Sequence, residues 1–470
     1  MEREKHRKGL HEYLCFFMLT LFAFGFTSCK DDDVKGEFNP DKPIVITDFM
    51  PKEGGYGNNL MIYGDNFGND VSKIKVIVGG KEANVISVKN DALYCVVPKG
   101  AYDTNVEVAA FDDEGEEIAY GVAEDKFTYQ KQWLVTTIAG QRFEDWKDAQ
   151  EKEGSFDECG YMEGISWFTF DPKSNFDIMY ISSANLGPIR KVNFADRTVK
   201  FLSHISYSTE RPTVITWTPD ENKDMIITRD LSSDGNINIV YSRASDFSTK
   251  TDLVSTLGKL KSGNAAMVHP NGQLFYTAYY TQEIYRYDFE TQETTTTTKH
   301  VKTKENLRFI LHPSGKYAYM TRLYYSGNNS GYIARLDYDE ENESFGTPYI
   351  VAGSDGSSGY ADGVGSSVRM KGPGQGVFVK NPDYAGEDDE YDFYFTDDYN
   401  NCVRVLTPTG RVYTFAGRGK DVAAGAYSDG ALRAEAQFDR PWAIAYDEKR
   451  KCFYVGERNN KVIRKIALEE

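Results

Sequence analysis

The sequence predicts an all-β protein with two folded parts, an immunoglobulin-like sandwich followed by a six-bladed β-propeller closed by strands from both of its ends. Three observations predict this. Aromatic residues make up 14% of the 470 residues, with 32 Tyr and 28 Phe, a load suited to strands. Short alternating apolar runs separated by turn residues crowd the segment from Pro43 to Tyr129. From Trp133 to the end one strand pattern returns six times.

The N-terminus reads as an address rather than as part of the fold. Arg3, Lys5, Arg7 and Lys8 precede an almost wholly apolar run from Leu14 to Phe26, which closes on Thr27-Ser28-Cys29. A basic start, a short apolar core and a small-residue site make a signal peptide over residues 1–28, since a bilayer-spanning helix needs about 20 apolar residues. A small residue directly before a cysteine resembles a lipobox, which implies acylation of Cys29. The acidic run Asp31-Asp32-Asp33 behind it resembles the export signal of surface lipoproteins in one phylum of Gram-negative gut commensals. The expected location is therefore the outer membrane, held by lipid alone and facing the cell exterior, and no later segment is apolar enough to span a bilayer. Residues 29–41, polar and ending in Asn39-Pro40-Asp41, suit a flexible tether.

Residues 42–130 form the first folded part. The runs IVITDF, NNLMIYGDNFG, KIKVIVGGKEANVISV, ALYCVVPKG, NVEVAAF and KFTYQ supply about seven strands, the pattern of an immunoglobulin-like sandwich. The details Pro51, Gly54-Gly55, the motif Gly64-Asp65-Asn66-Phe67-Gly68, VGGKEA at 78–83 and VVPKG ending at Gly100 resemble the IPT/TIG domain. That resemblance implies a spacer or interaction module.

Residues 131–470 form the second part. A tight polar turn followed by a strand rich in Tyr, Phe and Ile recurs from Asp171, Thr218, His269, His312, Asn381 and Tyr446, at blade-sized intervals. The last unit, FDRPWAIAYDEKRKCFYVGERNNKVIRKI, resembles an NHL repeat, as do the preceding unit and the segments TIAG (137–140), IVAG (350–353) and TFAG (414–417). The middle units RPTVITW and GNAAMVH lack the family's usual Pro-x-Gly start, so the resemblance is strong in three blades and weak in three. The terminal unit ends after three strands while WLVTTIAG stands alone before the first. Residues 133–139 are thus expected to pair as the outer strand of the last blade, which removes open sheet edges.

Composition limits what such a scaffold binds. The formal net charge is −17, and the leader that would be lost carries one more basic than acidic residue. An acidic surface excludes nucleic acid and anionic lipid as partners and favours a neutral or weakly charged ligand. After Cys15 and Cys29, only Cys95, Cys159, Cys402 and Cys452 remain, at no metal-like spacing, and read as buried single thiols, with one disulfide among them, such as Cys402 with Cys452, as the alternative.

Catalytic motifs are sparse. His269 and His312 invite a metal-pair reading, but both start equivalent His-Pro-x-Gly turns in adjacent blades and read as turn residues. No Gly-x-Ser-x-Gly elbow is present. Asp230, Asp397, Asp398 and Glu457 are the candidates for an acid/base carboxylate pair, set against a merely solvated acidic surface, and the run DYAGEDDEYD (383–392) reads as a solvated turn insertion. No cofactor and no metal are expected.

The loops are more informative. In a propeller the second-to-third-strand loops and the blade-to-blade connections share one face. On that face stand Tyr279 with Tyr280, Arg322 with Tyr324 and Tyr325, Asp398 with Tyr399, and Arg458. Aromatic rings beside charged and amide groups suit a sugar, whose C–H faces stack and whose hydroxyls hydrogen-bond. The competing reading is that these tyrosines pack between blades. Trp146 is placed to overhang this face, whereas Trp167, Trp217 and Trp442 fall in inner strands. Lipoproteins that join TIG and NHL modules resemble accessory parts of outer-membrane oligosaccharide importers, which implies a non-catalytic glycan binder beside a transporter. A propeller lyase or glycoside hydrolase and a protein-binding adhesion module are the alternatives.

Overall fold

The computed structural model describes residues 38–141, 151–183, 187–281, 283–299, 307–322, 331–417 and 425–469. The leader, Cys29, Trp146, Tyr324 and Tyr325 lie outside the described residues. The chain divides into two compact units, the second starting at Gln132. Among the described residues the secondary structure is strand, with only short 3-10 turns.

In the first unit seven strands follow the order Val45–Met50, Asn59–Asp65, Ala92–Val96, Lys81–Lys89, Ile74–Val78, Val106–Phe111 and Glu117–Val122. The long strand Lys81–Lys89 pairs at its start with Ile74–Val78 and along the rest with Ala92–Val96, so it belongs to both faces of the sandwich. Alternation puts Leu60, Ile62, Val76, Val78, Leu93, Cys95, Val106 and Val108 inside. The Gly64–Gly68 motif has a physical role. Phe67 fills the core, and Asn66, left-handed at φ 69°, donates through Nδ2 to the carbonyls of Asn39 (2.9 Å) and Lys42 (2.8 Å), fixing the entry of the chain. A side chain at Gly64 would collide with the Val45 carbonyl.

The second unit is a ring of six antiparallel blades. Their inner strands are Ile165–Phe170, Pro212–Trp217, Gly263–Val268, Leu307–Leu311, Pro373–Lys380 and Pro441–Asp447, numbered here as blades 1 to 6. Each inner strand packs on the next, and that of blade 6 packs on that of blade 1. Closure occurs as expected. Trp133–Ala139 pairs antiparallel with the C-terminal strand Ile463–Leu468, with Val135 opposite Ile466, and so becomes the outer strand of blade 6.

The core lies between blades rather than within them. Ala443, Tyr454 and Ile463 of blade 6 cluster with Ile165, Phe168 and Met179 of blade 1, and comparable clusters join the other neighbours. In blades 1, 4 and 5 a hydroxyl near the end of the second strand adds a polar stitch to the next blade. Ser182 donates to the Thr213 carbonyl (3.2 Å), Thr321 to Gly374 (2.6 Å) and Thr396 to Trp442 (3.1 Å). Three blades share one further feature. Blades 1, 5 and 6 carry a fifth short strand, Gly154–Ser155, Gly363–Val364 and Gly430–Ala431, laid on the outer edge by the incoming connection. The Ala-Gly motifs sit just ahead of these connections, with Gly140, Gly353 and Gly417 left-handed at φ 90°, 88° and 89°. At each, a Cβ would press on a backbone carbonyl of the adjoining loop or strand.

Candidate functional site: the loop face of the propeller

In blades 2, 3, 5 and 6 the loop after the second strand is tied by backbone to the connection that enters the same blade. The residue ending the connection is left-handed, as at Arg211 (φ 47°), Ser262 (φ 60°), Gly372 (φ 95°) and Arg440 (φ 59°). This conformation turns a carbonyl toward the loop. Asp230 N–H donates to Arg211 (2.9 Å), Tyr279 to Ser262 (2.8 Å), Asp398 to Gly372 (3.0 Å) and Arg458 to Arg440 (2.9 Å). In these four blades loop and connection therefore share one rim, and the bond pairs a backbone donor with a backbone acceptor.

Two rim clusters take shape from the sequence candidates. On blade 3, Tyr280 is 49% exposed and meets half-buried Tyr279 edge-on, with ring centroids 5.0 Å apart. Lys261 Nζ lies 5.0 Å over the Tyr280 ring, and Val254 and Leu257 of the same connection are exposed. On blades 5 and 6, Asp398 is buried and clamped by both ends of the Arg440 guanidinium, the Nη2–Oδ2 contact being 2.7 Å. Arg440 in turn lies 3.6 Å over the Tyr399 ring, and Arg458 lies 4.6 Å over Trp442. Burial pushes the Asp398 carboxyl up to about 6 against the opposing pull of Arg440.

Arg322 does not join either cluster at the surface. It is 3% exposed, ends the second strand of blade 4, faces Asp355 at 3.4 Å and rests on the Tyr332 ring. Its place is in the blade wall.

The remaining carboxylate candidates are held by arginines. Asp230 pairs with Arg211 at 3.2 Å and accepts from Ser262. Asp397 is fully buried against Arg404 (3.1 Å) and Asn400 (2.8 Å), and Glu457 is fully buried against Arg464 (2.5 Å) and Asn460 (2.6 Å). The two sets have identical spacing, a repeat device that pins the third strand to the loop. Burial raises both carboxyls, Glu457 to about 6.

The histidines stand on the opposite face, at first-to-second-strand turns. His269 Nδ1 accepts from Asn271 N–H (3.2 Å) and His312 Nδ1 from Ser314 N–H (3.2 Å), so each caps its own turn. The acidic insertion 383–392 is less solvated than its composition implies. Asp389 accepts from Tyr317 Oη at 2.6 Å and Asp392 is 2% exposed beside Asn381, because a long turn folds back over the aromatic packing of blades 4 and 5. Trp167 and Trp217 bind blade 1 to blade 2 by indole hydrogen bonds to Ile215 O (3.1 Å) and Thr169 Oγ1 (3.3 Å).

Arg440 is the rim residue that loop-by-loop reading missed. The signal was present, since Arg440-Pro441 repeats Arg211-Pro212 at the entrance to an inner strand.

Comparison with known proteins places this architecture. Residues 43–129 match the IPT/TIG domain model. A solved Bacteroides thetaiotaomicron structure described as an auxiliary nutrient binding protein is 44% identical, with 93% of this chain and 100% of that chain covered, at a TM-score of 0.85. A Bacteroides ovatus structure of the same description is 40% identical over 92% of this chain and 100% of its own, at 0.68. A further Bacteroides thetaiotaomicron structure, provisionally named a phosphatase, is 33% identical over 93% of this chain and 99% of its own, at 0.79. Among curated proteins, the Arabidopsis thaliana protein SUPPRESSOR OF QUENCHING 1, chloroplastic, is 37% identical over 110 residues, 23% of this chain and 9% of that protein. With identity of this order over whole chains, the protein belongs to the family of IPT/TIG-plus-propeller proteins that includes the two Bacteroides auxiliary nutrient binding proteins.

Proposed function

We propose that the protein is a non-catalytic lipoprotein of the outer membrane, anchored through Cys29 and facing the exterior, whose propeller rim binds a glycan beside an oligosaccharide uptake system. Two relatives described as nutrient binding proteins support the binding role. The observation that carries the glycan reading is Tyr280, an exposed ring on the rim with a second aromatic at its edge and a lysine over its face. Such a ring stacks on the C–H face of a sugar while the neighbouring Lys261 meets hydroxyls. The arginine clamps on Asp230, Asp397, Asp398 and Glu457 argue against these groups as free acids or bases. The IPT/TIG domain then acts as a spacer above the tether.

The binding half is tested by titrating the purified chain and Tyr280→Ala with oligosaccharides. A loss of tenfold or more in affinity, with unchanged thermal stability, is expected. Equal affinity would remove this ring from the site. The anchor is tested by Cys29→Ser, which should leave the protein unlabelled by radioactive fatty acid and no longer accessible at the cell surface to added protease. Unchanged labelling and shaving would overturn it. The phosphatase name of one relative favours a second reading, an enzyme, which predicts release of phosphate or shortened glycan on incubation.

A further inference from the structure

The second residue of each inner strand forms one layer around the ring axis just inside the rim: Ser166, Thr213, Asn264, Arg308, Gly374 and Trp442. Below it, Gln375 spans the interior from blade 5, accepting from Phe168 N–H (2.9 Å) and donating to its carbonyl (2.7 Å) on blade 1. Arg308 is the charged member of the layer and is 5% exposed. Its Nη1 donates to the carbonyls of Leu307 (2.9 Å) and Asn264 (3.1 Å). Its Nε is buried without an acceptor, and Nη2 makes no protein hydrogen bond among the described residues.

Arg190, Arg404 and Arg464 also bury an Nε without an acceptor, and what sets Arg308 apart is the counter-charge. Among the described residues Arg190, Arg322, Arg404 and Arg464 are also buried, and each has a carboxylate within ion-pair distance, Glu151, Asp355, Asp397 with Asp362, and Glu457 with Asp429. Arg308 has no such partner among the described residues, and Asp230 acts on it only at longer range. Burial pulls its guanidinium down to about 10. Keeping a cation out of water without a counter-charge is costly, and so is a buried unsatisfied donor. Two more orphaned donors share the layer, Ser166 Oγ and Trp442 Nε1.

We propose that Arg308 is an anion-binding residue in the inner-strand layer beside the rim and takes the carboxylate of a uronic-acid unit in the bound glycan. This rests on the glycan reading above. The guanidinium edge without a protein acceptor among the described residues, Nε with Nη2, is the parallel donor pair that meets a planar carboxylate side-on. The rim above it sets cations on aromatic faces, Lys261 on Tyr280, Arg440 on Tyr399 and Arg458 on Trp442, next to where the sugar would stack. The overall charge of −17 disfavours a densely charged polyanion, so an isolated carboxylate suits the site better than a heavily sulfated chain.

The test titrates the purified chain calorimetrically with galacturonate, glucuronoxylan and mannuronate oligosaccharides. Each is paired with its carboxyl-reduced counterpart, and a sulfated neutral galactan is added. At least one acidic member should bind tenfold or more tightly than its reduced partner, in line with a charge-assisted bidentate contact. Arg308→Gln should remove that preference, and Arg308→Lys should recover only part of it, with melting temperature checking the fold. If neither variant folds, the matched pairs on the native chain decide alone. Binding without preference in any pair would overturn the carboxylate and leave the glycan reading standing. Preference for the sulfated galactan would assign the arginine to sulfate and overturn the uronate. No retained glycan at all would overturn both.

Discussion

Glu457→Gln in blade 6 is a demanding test of the buried ion pairs, because its effect should depend on pH in a specified direction. Glu457 is fully buried, and burial outweighs Arg464 to place its carboxyl at about 6 against an ordinary 4.5. A folded-state value above the unfolded one means that the stability tied to this group is complete below about 4.5 and is lost as pH rises through about 6. The full loss is about 2 kcal/mol, of which about 1 kcal/mol falls between pH 5 and 7.5. The glutamine variant keeps the shape and loses this titration. Its destabilisation relative to the native protein should therefore be about 1 kcal/mol smaller at pH 7.5 than at pH 5. All five tryptophans, at 133, 146, 167, 217 and 442, lie in the propeller unit, so urea unfolding followed by tryptophan emission reads this unit and not the sandwich. A variant whose destabilisation stays constant, or grows with pH, would refute the reasoning.

Other consequences are more direct. Val135→Asp places a charge at a fully buried position of the closing strand and should cost about 4 kcal/mol or unfold the ring, seen as a large fall in the urea midpoint; a change under about 1 kcal/mol would mean that the strand does not close it. Thr396→Val removes the hydroxyl that stitches blade 5 to the Trp442 carbonyl and should cost about 1–2 kcal/mol by the same assay, whereas a neutral effect would remove the stitch from the account. Arg440→Met strips the clamp from buried Asp398 and should cost about 3 kcal/mol, with Asp398→Asn in the same chain recovering part of it; additive losses would show that the two do not act as a pair. Cys95, Cys159, Cys402 and Cys452 are free and buried, so a thiol reagent should leave them untouched in the native chain and label all four in urea, while native labelling of any of them would contradict its placement.

Most of the architecture was legible because propellers and sandwiches repeat. Period-two alternation with turn residues marks the strands, and the six recurrences from Asp171 to Tyr446 mark the blades. Even the closing strand could be found, since WLVTTIAG had no partner nearby and the last unit had only three strands. What the pattern did not reveal was which polar residues go inside. Arg322 and Asp398 stand at loop positions that look solvated, yet neighbouring connections cover them with Asp355 and Arg440. Asp389 and Asp392 sit in an acidic run that composition alone assigns to solvent. For Asp398 and Arg322 the covering partner is distant in sequence, Arg440 and Asp355, and spacing within one loop carries no trace of it, unlike the seven-residue spacing of Asp397 with Arg404 and Glu457 with Arg464. Arg308 went unnoticed for the same reason, because an arginine in an inner strand stands out only once it is seen to lack a counter-charge among the described residues.

The central claim is that the rim of this propeller holds a glycan without altering it. A glycan array probed with the purified chain, reading both retention on each spot and release of sugar or phosphate into solution, tests it most directly. Retention of a defined set of oligosaccharides with no product released is the predicted result. Release of product, or retention of none, contradicts the claim.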